Sequence, residues 1–222
     1  SDAFAFPCTR NSTAIVAPRG VTEGHSPLGD LIVEGVKTFK EHVELDRPAG
    51  VLPVPQYSGA TTKLDTFTKR YPDGKMMKGF FHAETYVATE EAFMVDAVVY
   101  GDWLLSEAMK MEPSKIDIID DFVIEVNEGE RLHLKTQNGR NVSFDKVVFA
   151  GGNYNRFWKG LVPGTDLETS RPVQGSYFEY NGVEWDTPSF SLTLNGDNLV
   201  WNNETKRLLV GNTTMETNIV LP

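Results

Sequence analysis

The stretch SFSLTLNGDNLVWNNETKRLLVGNTT, residues 189–214, decides the fold class. It holds three runs rich in β-formers: SFSLTL (189–194), NLVWN (198–202) and RLLVGNTT (207–214). Asn195-Gly196 separates the first two, and a polar stretch over 202–206 separates the others. Short alternating runs broken by turn residues read as strands, with Asn-Gly the strongest short hairpin signal. Connections this short imply antiparallel pairing.

The same grammar extends upstream. FVIEV (122–126), RLHLKTQ and RNVSF surround Asn138-Gly139 as a second hairpin system, and RPVQGSYFEY (171–180) supplies a further strand. Two helices stand out. SPLGDLIVEGVKTFKEH offers Ser26 as N-cap and Pro27 at the first helical position. Leu28, Leu31, Ile32, Val36 and Phe39 then recur at helical spacing. DAVVYGDWLLSEAMKM offers Asp96 as cap, with Val98, Leu105, Ala108 and Met109 near one face. A shorter helix is expected from Thr62 to Tyr71, closed by Pro72. The fold class is therefore α+β: a large, mostly antiparallel sheet flanked by helices.

A chain of 222 residues, 40% hydrophobic, can bury a sizeable core. Its formal net charge of −10 disfavours nucleic acid and anionic membranes as partners. It contains no apolar run of spanning length, and its N-terminus lacks the pattern of a signal peptide. One cysteine, Cys8, excludes an internal disulfide and fits a reducing compartment, so a cytoplasmic location is expected.

Self-sufficient catalytic motifs are absent. The four histidines (His25, His42, His82, His133) are scattered, which predicts satisfied or surface side chains and no metal site. Cys8 reads as a structural thiol. Asp117, Asp120 and Asp121 could serve a cation or act as paired carboxylates, but a solvated turn explains them as well. Neither a Gly-x-Ser-x-Gly elbow nor a Gly-x-Gly-x-x-Gly phosphate loop occurs. The stretch FDKVVFAGGNYNRFW (144–158) is more suggestive. It predicts a buried strand over Val147–Ala150 that stops at Gly151-Gly152, where a backbone can approach another group closely. A strand-to-loop turn needing positive φ accounts for the same glycines.

Taken in order, several stretches resemble the FAD-dependent oxidoreductases of the D-amino-acid-oxidase type, which include glycine and sarcosine oxidases. CTRNSTAIVAPRG (8–20) resembles the segment after that family's nucleotide-binding strands, and FMVDAVVYGDWLLSEAMK (93–110) its "vDp" helix. DDFVIEV resembles the strand that follows, and FDKVVFAGGNYN the strand ending in Ala-Thr-Gly. RPVQGSYFEY resembles the "RPv-x-G-y" strand, and RLLVGNTT the "l-l-i-G-s-T" strand. The similarity runs across nearly the whole chain. It departs in carrying Ala150-Gly151-Gly152 for Ala-Thr-Gly, and in lacking the family's opening glycine-rich unit and closing segment.

The resemblance implies a single domain over 1–222, the substrate-binding portion of a two-domain flavoprotein, with 1–20 and 117–158 bordering the FAD domain. The nucleotide-binding βαβ unit is missing. The complete protein would oxidise a small amine or amino acid by hydride transfer to FAD. Arg10, Asn11, Ser12, Val123, Ala150, Gly151 and Gly152 would meet the cofactor. Related oxidases often anchor a substrate carboxylate with an arginine and a tyrosine. Arg171 and Tyr177 lie on one face of one strand, and Trp201 would wall the pocket; a strand-end salt bridge and core aromatics are the plainer readings. The chain alone is expected to hold no FAD. Its exposed edge is expected to meet the missing segments of the same protein or a second copy. The competing expectation is a non-catalytic, β-rich binding domain without cofactor.

Overall fold

The computed structural model describes residues 14–21, 23–24, 26–80, 83–111, 116–150 and 173–216. These fall into two compact units. The larger gathers the described residues within Thr9–Met111 and Gly175–Thr213; the smaller gathers those within Glu112–Gln174 and Thr214–Pro222.

The larger unit is built on an eight-stranded sheet. Its strands are β1 (Ile15–Val16), β2 (Val51–Ala60), β3 (Lys75–Phe80), β4 (Ala83–Val95), β8 (Val173–Asn181), β9 (Phe190–Leu194), β10 (Asp197–Asn202) and β11 (Arg207–Glu216). They lie in the order β1-β4-β2-β9-β10-β11-β8, with β3 also paired to β4. The run 189–214 forms the expected antiparallel meander β9–β10–β11. Asn195 and Gly196, at φ 51° and 102°, turn the chain between Leu194 and Asp197, which pair across the hairpin. Two positive φ angles match the right-handed strand twist, which is why Asn-Gly sits there. One pairing is parallel, β2 with β9, and parallel neighbours need a long crossover.

Four strands, β1, β2, β3 and β4, were not legible. Pro53 and Pro55 argue against a central strand, yet both lie where β2 pairs with β4 only; β9 joins at Gln56. Their missing N–H groups are tolerated there because that half of β2 is an edge. In β4 the Glu90-Glu91 pair hides the alternation. Glu90 turns toward the core, while Glu91 points outward to Lys40 at 2.6 Å.

The helices begin where their caps predict. Helix α1 (Pro27–Asp46) starts at Ser26, whose Oγ accepts the Gly29 N–H at 3.0 Å. It ends at Arg47, left-handed at φ 49°. Helix α2 is Leu64–Arg70. Helix α3 (Ala97–Met111) starts at Asp96, whose carboxylate accepts from Val98 and Val99. The buried faces differ in part from expectation. Leu28 and Leu31 of α1, and Leu105 and Met109 of α3, stand exposed. The helices meet through aromatic rings instead: Phe39 edges Phe93 of β4 at 5.5 Å and Tyr100 at 5.9 Å, and Tyr100 stacks on Trp103. Larger flat side chains bury more area and win the interface. None of the described helices is long and apolar enough to cross a membrane.

The smaller unit contains an antiparallel sheet in the order β5-β6-β7, formed by Val123–Asn127, Leu132–Thr136 and Asn141–Phe144. Gly139, at φ 83°, closes the β6–β7 turn, with its N–H on Thr136 O. The expected buried strand at 147–150 is not formed: these residues join neither sheet, and Val148 is 89% exposed. Four apolar residues make a strand only when a neighbouring strand takes their backbone groups, and no described strand pairs with them.

Candidate functional site

Strand alternation gives the large sheet two distinct faces. The face opposite α1 and α3 carries Ala17, Val54, Ala92, Met94, Val200 and Leu209 as a buried apolar cluster, with Ile15, Leu52 and Tyr177 packed against it. Further along the same face the side chains become polar. Glu90, Gln56 and Ser191 stand side by side on β4, β2 and β9. The next row sets Ser58, Thr193 and Asn198 across β2, β9 and β10. Gln56, Ser58 and Ser191 are buried, Gln56 at 1% exposure.

These groups are joined in a chain. Gln56 Nε2 donates to Tyr57 O at 2.9 Å and to Thr193 Oγ1 at 3.3 Å. Thr193 in turn donates to Asn198 Oδ1 at 2.8 Å. Ser58 Oγ bonds the Tyr71 hydroxyl at 2.9 Å, and Glu90 Oε1 accepts the Gly20 N–H at 2.8 Å. Burial pushes both the Tyr71 hydroxyl and the Glu90 carboxyl above their usual ranges; the Gly20 and Arg19 N–H groups and the Arg19 charge pull Glu90 back. An apolar floor beside a few fixed polar groups is the composition of small-molecule pockets.

The other end of this face carries a cleft of about 70 Å³, lined by Met94, Asp96, Val200, Asn202, Arg207 and Leu209 among others. Arg207 donates to Glu179 at 2.8 Å, which holds the Glu179 carboxyl below its usual range, and its Nε is buried without a partner among the described residues. A second cleft, of about 250 Å³, lies on the opposite face between Pro55, Tyr57, Pro188, Phe190 and Leu192.

The structure separates two of the expected pocket residues. Tyr177 packs on the core face, whereas Trp201 follows Val200 on β10 and so points to the other side. Trp201 is 0% exposed, donates from Nε1 to Thr187 O at 2.9 Å and packs on Trp185. It anchors the 182–189 loop in place of walling a pocket with Tyr177. Of the expected cofactor set, Val123 begins β5, the edge strand of the small sheet, and Ala150 is exposed. Arg10, Asn11, Ser12, Gly151, Gly152 and Arg171 lie outside the described residues, as do Cys8, His25 and His82.

His42 bonds Asp46 and Tyr100, and His133 bonds Ser143. Asp121 closes a turn, accepting from Phe122 and Asn138 N–H groups. Among the described residues no three His, Cys, Asp or Glu side chains are gathered as a metal ion would need. The polar rows escaped sequence reasoning although one signal was present: Ser189, Ser191 and Thr193 alternate with Phe190, Leu192 and Leu194. Alternation defines two faces without saying which one is buried.

No protein-family model matches the chain, and no curated protein matches it in sequence. Solved structures do share its fold, and three of them are oxidases. Glycine oxidase from Bacillus cereus ATCC 14579 matches over 98% of this chain and 66% of its own, with TM-score 0.71 and 17% identity. L-α-glycerophosphate oxidase from Mycoplasma pneumoniae, solved with FAD bound, matches over 94% and 62%, with TM-score 0.72 and 12% identity. Iminodiacetate oxidase from Chelativorans sp. BNC1 matches over 96% and 64%, with TM-score 0.68 and 15% identity. The chain thus spans less than two thirds of each of these proteins. At such identities the likeness is one of fold.

Proposed function

We propose that this chain is the substrate-side portion of an FAD-dependent oxidoreductase that oxidises a small amine or amino acid. The observation that carries the reading is the match of nearly the whole chain to oxidase folds, one solved with FAD bound. The division of one sheet face into an apolar floor and buried polar rows supports it. FAD, when bound, supplies the hydride acceptor. The chain's own residues bind the substrate, orient it and exclude water. Val123 and Ala150 would border the flavin nucleotide, with Arg10, Asn11, Ser12, Gly151 and Gly152 completing its contacts. Tyr177 and Arg171 would hold a substrate carboxylate. Arg207 joins them as a candidate, because it offers a buried Nε donor without a partner among the described residues, on the face that carries Tyr177.

The test is a binding comparison in the complete gene product. Arg207→Met is expected to weaken an amino acid about tenfold, or ~1.4 kcal/mol, while leaving the corresponding amine without a carboxylate unaffected. Equal loss for both ligands would remove Arg207 from the site. Asn11→Ala and Gly151→Val are expected to weaken FAD retention; unchanged retention in both would contradict the cofactor assignment.

A further inference from the structure

Two buried oxygens on the core face, Gln56 Oε1 and Glu90 Oε2, have no hydrogen-bond partner among the described residues. Their residues are direct cross-strand partners on β2 and β4. The Gln56 amide has a fixed sense. Its Nε2 is turned toward β9, where it serves Thr193, and also reaches the Tyr57 carbonyl, which can only accept. Oε1 therefore turns back toward β4, where Glu90 stands. An ionised Glu90 would put two acceptors together in a buried place with no hydrogen between them, leaving both unsatisfied. One proton satisfies both.

We propose that Glu90 is a neutral carboxylic acid whose Oε2–H donates to Gln56 Oε1 while its Oε1 accepts the Gly20 N–H. Hydrogen bonds then run in one direction across the sheet, from Gly20 through Glu90, Gln56 and Thr193 to Asn198. Bonds aligned in this way reinforce one another. The groups facing Glu90 are Gln56 on β2, the Arg19 and Gly20 amides and the Arg19 charge from the turn, and the Tyr71 hydroxyl just after α2. Burial, the largest influence on Glu90, favours its neutral form. Glu90 is a positioning residue: it clamps the turn of the 14–21 segment onto β2 and β4. This role is independent of the flavin reading.

Infrared difference spectra of the wild-type protein and Glu90→Gln at about pH 6, above the ordinary glutamate range, test the proposal. The expected result is a protonated-carboxyl C=O band that is present only in wild type and shifts in D2O. In Gln56→Leu that band should move to higher frequency, because its O–H has lost its acceptor. Absence of the band would overturn the proposal and mean that the Gln56 amide is turned the other way, donating to a carboxylate. A band unmoved by Gln56→Leu would overturn the donor–acceptor pairing. If Gln56→Leu fails to fold, thermal midpoints decide. Glu90 binds its proton more tightly when folded, so its contribution is complete below the unfolded value near 4.5 and is lost as pH rises through the folded value. The midpoint of wild type relative to Glu90→Gln should therefore fall as pH rises from about 4.5. A flat or rising difference would contradict a proton held at Glu90.

Discussion

Substituting Gly20 by alanine tests how the 14–21 segment is seated. Gly20 has φ +66°, and a Cβ there would overlap Arg70 Cγ and lie 2.7 Å from Tyr71 Cε1. The arginine stem can swing away. The tyrosine ring cannot, because it is buried and its hydroxyl is bonded to Ser58. Left-handed backbone costs an L-residue about 1–2 kcal/mol, and forcing a methyl against a fixed ring adds about 1–3 kcal/mol. Gly20→Ala should therefore lose about 2–5 kcal/mol, a large share of the roughly 5–15 kcal/mol that holds a domain folded. That corresponds to a Tm drop on the order of 10 °C for a protein of this size. Gly182→Ala is the control: φ is +69°, but none of the described residues lies within 4 Å of its added Cβ, so only the backbone part applies. Urea unfolding followed by tryptophan fluorescence gives both values. Equal losses for the two variants would refute the close approach of the turn to Tyr71.

Trp201→Phe should cost about 1 kcal/mol, because the half-buried Thr187 carbonyl loses its indole donor; the urea midpoint measures it. Ser26→Ala should lower the stability of α1 by about 1 kcal/mol through loss of its N-cap, read from far-UV circular dichroism melting. In the smaller unit the Thr136 hydroxyl, with the Phe122 and Asn138 amides, holds the Asp121 carboxyl below its usual 3.8. Asp121 thus contributes stability above 3.8 that is lost as pH falls through the lower folded value. Hydrogen-exchange protection of the Phe122 and Asn138 amides should decline on acidification in wild type, starting from a lower and pH-independent level in Asp121→Asn.

Local signals carried much of the architecture. Ser26-Pro27 and Asp96 mark helix starts because capping is settled within one turn of chain. Asn195-Gly196 marks a hairpin because its backbone angles suit few other residues. The elements that escaped depend on tertiary context. Pro53 and Pro55 are compatible with β2 only because β9 begins beyond them. Val147–Ala150 has a strand's composition, but no described strand pairs with it. Leu105 and Met109 have the spacing of a buried stripe, yet Tyr100 and Trp103 take the contacts. The site was less legible than the fold. The expected arginine and tyrosine followed a family habit of residue type and were placed by strand alternation alone; Tyr177 lies on the core face and Trp201 on the other. The polar rows of Glu90, Gln56, Ser191, Ser58, Thr193 and Asn198 draw on four strands from both halves of the sheet. Among the described strands only the parallel β2–β9 pairing unites those halves, and no short sequence window contains them all.

The most direct test of the flavin reading is the absorption spectrum of the purified complete gene product, recorded anaerobically before and after addition of small amines and amino acids. A flavin spectrum that bleaches with one of them is the predicted result. A complete protein that neither carries nor binds FAD would contradict it.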